Sequence, residues 1–148
     1  MEFKSADAKY TVYEGSAPMD CAVDKWGNLF FVTKNDTIYG IDFDNEDDTP
    51  YVIAERPYVK QSQAIDVRFN DDIWWCNGNS TEGVLGVANR NQTGQYYNIS
   101  NPILIHEEWE RSESCTGLTV DDGNRVFFSS STYIHTFDIK EGKTSDAV

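Results

Sequence analysis

The chain has 148 residues, enough for one moderate hydrophobic core, and a single domain over residues 1–148 with no separate catalytic partner domain is expected. Its 25 acidic and 12 basic side chains give a formal charge of −13, which repels nucleic-acid phosphates and anionic lipid alike, so neither is expected as a partner. No apolar run reaches the roughly 18–20 residues that span a bilayer, so membrane insertion is not expected; Met1-Glu2-Phe3-Lys4-Ser5 has no signal-peptide apolar region, and any secretion signal is expected to lie outside this numbering.

Short runs in which Phe, Tyr and Trp mix with Val, Ile and Thr predict strands throughout. The first is expected over 9–13. A triplet follows at 18–24, 29–32 and 37–42, with a polar turn at 25–28. After a strand over 50–54, the triplet returns at 64–69, 73–76 and 83–88, with its turn at 70–72. After a strand over 95–99 it returns again at 115–121, 126–129 and 133–138, with a turn at 122–124. Ile38, Val84 and Ile134 mark the period, 46 and then 50 residues apart, and the repeats run approximately over 9–42, 50–88 and 95–139.

Each triplet is expected to be an antiparallel meander, because its first turn carries the Asp, Asn and Gly that hairpins need for positive φ. The middle strand holds an aromatic pair every time: Phe30-Phe31, Trp74-Trp75 and Phe127-Phe128. A strand apolar on both faces is covered on both faces, as when four-stranded sheets stack as blades around an axis. The fourth strand precedes each triplet and would be the outer strand of the preceding blade. The chain is thus expected to open on an outer strand without its own blade and to end, after Ile139, on a blade without its outer strand.

Ala22-Val23-Asp24-Lys25-Trp26-Gly27-Asn28-Leu29-Phe30-Phe31 resembles the repeat shared by the NHL, gluconolactonase (senescence-marker), strictosidine-synthase and yellow/royal-jelly β-propellers, and the likeness spans residues 9–139. The resemblance implies an all-β fold of three four-stranded blades, half of a six-bladed ring. The other half would come from a second copy or from more of a longer chain. In a dimer, the N-terminal strand of each copy would complete the last blade of the other; a joint that did not close would propagate as a filament.

The gluconolactonase likeness also implies an alternative function, a divalent-metal-dependent lactonase or hydrolase, for which calcium is a candidate cation. Glu14-Gly15-Ser16-Ala17-Pro18 resembles that family's opening Glu-Gly-Pro, but Thr116-Gly117 stands where such enzymes carry Asn-Gly, and Ser129 or Ser130 where they carry Asp. Glu14, Asp20 and Asp66 are the metal candidates, the two aspartates at equivalent places on innermost strands with Gly117 as the third copy's counterpart. The run 42–48 is acidic like a calcium loop yet has Asp47 where an EF-hand needs glycine, so a solvated loop is expected. No cofactor follows from these residues. His106 and His135 lack zinc-ligand spacing, and His135 is expected on strand surface. Ser129-Ser130-Ser131 lacks a nucleophile-elbow context. Trp26 and Trp109 are expected to fold back over blade edges rather than bind a partner.

Four N-x-S/T sequons, at Asn35, Asn79, Asn91 and Asn98, lie beside predicted turns and strand ends and imply N-linked glycans and secretion. Cys21, Cys76 and Cys115 are disulfide candidates, and counting alone allows one bridge plus one thiol, or an intermolecular link. The function expected is that of a non-catalytic, acidic extracellular glycoprotein with a structural or binding role, self-assembling through exchange of its N-terminal strand.

Overall fold

The computed structural model describes residues 11–43, 49–68, 72–78, 85–93, 96–99, 102–105, 115–121, 123–130, 132–140 and 143–146, and these contain no helix. The fold is all-β, built of three small antiparallel sheets. Strands β1 (Pro18–Val23), β2 (Leu29–Thr33), β3 (Thr37–Ile41) and β4 (Tyr51–Ala54) form the first, in that order. In the second, β5 (Ala64–Val67) pairs with β6 (Asp72–Cys76) and β6 with β7 (Leu85–Thr93). The far end of β7 forms a hairpin with β8 (Tyr96–Ile99), while its near end, Leu85 to Val87, pairs with β9 (Ile103–Ile105). The third sheet is β10 (Gly117–Val120), β11 (Arg125–Ser129), β12 (Ile134–Asp138) and β13 (Lys143–Asp146).

The first turn of each sheet is held by its own side chains. Asp24 Oδ1 accepts from the amides of Trp26 and Asn28, both at 2.9 Å, while Asn28 Nδ2 donates to Oδ2 at 3.1 Å. Gly27 takes the positive φ of 85° that this tight reversal requires. In the third sheet Asp121 Oδ1 accepts from the Arg125 amide at 2.9 Å. Arg68 stands at this place in the second, where its guanidinium pairs with Asp72 at 3.0 Å and also donates to the Gly123 carbonyl at 3.2 Å, bracing one turn against the next.

Period-two alternation sends the two aromatics of each middle strand to opposite faces. Trp75 packs in a core with Phe30, Val32 and Ile38 of the first sheet, whereas Trp74 enters a second core with Val126, Phe128 and Phe137 of the third. Phe30 and Trp74 thus face forward along the series, and Trp75 and Phe128 face back. The first strands β1, β5 and β10 lie side by side. Gly86 lies opposite Trp75 in the ladder, and the indole occupies the space a β-carbon would need. The indole N–H donates to the Tyr58 carbonyl at 3.0 Å, fixing the connection between the first two sheets. Asp36, buried at a φ of 58°, holds the same connection, accepting from the Gln61 amide at 2.7 Å and from Arg56 Nε at 2.6 Å.

Several expectations are corrected. Residues 11–13 are not strand, and 9 and 10 lie outside the described residues. The third sheet does not lack its outer strand: β13 pairs with β12 from His135 to Asp138, so the edge that strand exchange was to fill is occupied. In the second sheet, β9 and not 95–99 lies beside Leu85–Val87, because β8 follows the extension of β7 instead.

Candidate functional site

The first strands carry the predicted metal candidates, and the ladder register places them. Asp20 lies opposite Val32, and Asp66 opposite Trp74. Counted from the turns, Asp20 matches Ala64 and Gly117, while Asp66 matches Ala22 and Thr119. The expected equivalence of the two aspartates is therefore wrong by two residues, which keeps both on the forward face but at different heights.

Each carboxylate nevertheless does the same thing. Asp20 Oδ1 accepts from its neighbouring Cys21 amide at 2.9 Å, and Oδ2 reaches the next sheet to accept from the Ile65 amide at 3.0 Å. Asp66 Oδ1 accepts from the Val67 amide at 2.9 Å, and Oδ2 accepts from the Val120 amide at 2.8 Å and the Thr119 hydroxyl at 3.3 Å. Charge-assisted bonds of this kind satisfy amides on the free edges of β5 and β10 and clip one sheet to the next. No sequence motif signals this role, because the partner amides lie 45 and 54 residues away.

Glu14 is exposed in the segment before β1. Among the described residues no three His, Cys, Asp or Glu side chains gather, so Glu14, Asp20 and Asp66 do not form one cation site. Asp42 accepts from the Tyr51 hydroxyl at 2.8 Å; residues 44–48 of the acidic run lie outside the described residues, as do His106, Trp109 and Asn79. Trp26 is partly exposed, with Lys25 Nζ 4.1 Å from its ring centre. Ser129 Oγ lies 3.2 Å from Thr116 Oγ1.

His135 is not on strand surface. Its register opposite Phe128 turns it toward the second sheet, where it is buried 5.3 Å from the Phe128 ring and 5.8 Å from that of Tyr133. Ile134, its apolar neighbour, is the residue left outside, 52% exposed.

Of the glycosylation candidates, Asn35 is exposed in the β2–β3 turn, and Asn91 and Asn98 lie opposite each other in the β7–β8 ladder. Cys76 and Cys115 form a disulfide that joins β6 to the approach of β10 inside the second core, while Cys21 is a free, exposed thiol on β1.

No protein-family model matches this chain, and no curated protein matches it either.

Proposed function

We propose that the three sheets are successive blades of a β-propeller of the NHL, gluconolactonase, strictosidine-synthase and yellow type, and that the chain is a non-catalytic extracellular glycoprotein module with a structural or binding role. The observation that carries the reading is the serial packing: first strands side by side, each sheet turned forward onto the back of the next. That is how blades surround an axis, and the aspartate clips keep the first strands together where no ladder joins them. An extracellular setting is supported by the Cys76–Cys115 disulfide, since such bridges persist where the environment is oxidising. The exposed Asn35 side chain, at the head of a sequon, suits the same compartment. A surface-acting role fits carboxylates spent on backbone amides in the two clips.

The test is expression through a eukaryotic secretory pathway, with glycan and disulfide mapping by mass spectrometry and an assay of lactone hydrolysis with and without calcium. Glycan on Asn35, an intact Cys76–Cys115 bridge and no calcium-dependent turnover are expected. A secreted chain with every sequon bare and Cys76 reduced would overturn the extracellular reading, and calcium-dependent turnover would overturn the non-catalytic one.

A further inference from the structure

The first aromatic of each middle strand faces forward and the second faces back. Phe30 meets the second sheet and Trp74 the third, and Phe127 holds the corresponding position in the third sheet. Its face carries Gly117 and Thr119 from β10, Phe127 and Ser129 from β11 and Ile134 from β12, and with Leu118 and Phe128 these residues line an open groove of about 400 Å³ with mainly apolar walls. On β12 the isoleucine points out and the histidine in, the reverse of what water on this face would favour.

The opposite end of the series is also apolar. Cys21, Phe31, Tyr39 and Val52 lie in one cross-strand row on the back of the first sheet. Tyr13 packs on the Phe31 ring at 4.6 Å, leaving Val52 51% exposed in that row and Val23 59% exposed beside it. The large exposed apolar side chains Val12, Met19, Val23, Trp26, Val52 and Ile134 belong to the first sheet with its flanking segments or to the third, whereas Ile65, Ile73, Trp74, Trp75 and Leu85 of the middle sheet are buried. Neither the groove lining nor this row contains a charged residue; Arg125 and Asp138 share the Phe127 face but lie at its turn end, outside the groove.

We propose that a second copy of this chain seats the back of its first sheet, Tyr13 included, on the Phe127 face of the third sheet. The inference rests on the blade reading and deepens it. The occupant is a second copy because the two sheet-to-sheet contacts each join a forward face to a back face, and among the described residues no further sheet lies on the Phe127 face or on the back of the first sheet, where Phe31 is buried beside Tyr13 while Val52 and Val23 are exposed. The joint continues that packing and needs no exchanged strand. It also fixes a register. Gly117 matches Asp20, and Cys21 matches Ile65, whose amide Asp20 clips. Gly117 of one copy therefore lies beside Cys21 of the next.

The test uses the full chain at the highest soluble concentration. Light scattering is expected to show an assembly of two or more copies, and Ile134→Asp, at an exposed position, is expected to raise its dissociation constant at least tenfold while leaving the circular dichroism spectrum unchanged. Gly117→Cys, oxidised with glutathione disulfide, is expected to give a chain-to-chain disulfide that disappears when Cys21→Ser is added. A monomer at every concentration, or an assembly indifferent to Ile134→Asp that forms no such bridge, would overturn the joint. Glycan and disulfide mapping are independent of assembly, so failure here and failure of the extracellular reading are distinguishable.

Discussion

Replacing Cys76 and Cys115 together by alanine removes a covalent link between the second and third sheets. The bridge closes a loop with a sequence separation of 39, for which chain entropy gives about 4 kcal/mol of stabilisation. Both sulfurs lie in the second core, so alanine also leaves a small cavity. Against a total stability of about 5–15 kcal/mol for a domain of this kind, the loss is large. In urea titrations, with a slope of about 2 kcal/mol per molar, the midpoint is expected to fall by about 2 M. Reducing the wild-type chain isolates the covalent contribution and should reproduce most of that shift. Cys21→Ser, at an exposed thiol, should move stability by less than about 0.5 kcal/mol. A loss below about 1 kcal/mol on reduction would refute the loop-entropy reasoning, and a Cys21-containing bridge in the native protein would refute the pairing.

Gly86→Ala puts a methyl 2.0 Å from Trp75 Cε2, and the indole cannot retreat without leaving the Tyr58 carbonyl; a loss of about 3 kcal/mol is expected, read by tryptophan fluorescence during urea unfolding. Asp66→Asn keeps one acceptor oxygen where the carboxylate used two, so about 2 kcal/mol should be lost and the Val120 amide should exchange hydrogen faster; unchanged exchange there would show that the clip is not formed. Asp36→Ala strands the Gln61 amide and should cost about 2 kcal/mol, whereas Arg56→Ala should cost less than about 1 kcal/mol because the Arg56 side chain is 76% exposed; both are measurable by thermal unfolding.

The triplets were legible because each rests on local chemistry. Turn residues such as Asp24, Gly27 and Asn28 fix a hairpin within a few positions, and an aromatic pair requires cover on two faces wherever the chain goes next. Local chemistry does not say which far segment lies on an edge. The sequence of β8 suits a strand, yet its partner is the far end of β7, and Ile103–Ile105 pairs where 95–99 was expected. Lys143–Asp146 is polar and gives little strand signal; pairing with β12 supplies what propensity does not. Asp20 and Asp66 are offset by two residues for a related reason: the turns, not the acidic residues, set the register. His135 has the sequence context of an outward residue, a polar side chain beside an isoleucine, and only its pairing with Phe128 turns it inward.

The Trp74-Trp75 pair gives the middle sheet a mechanical standing that the other two lack. Each core is a joint between neighbours, and this sheet is half of both. Cooperativity in such a series belongs to the joints and passes from neighbour to neighbour, as in a one-dimensional chain of coupled units. Damage at Phe30 or at Phe137 opens one joint and can stop there. Damage in β6 opens both at once, so the centre of the series is the point through which either end senses the other.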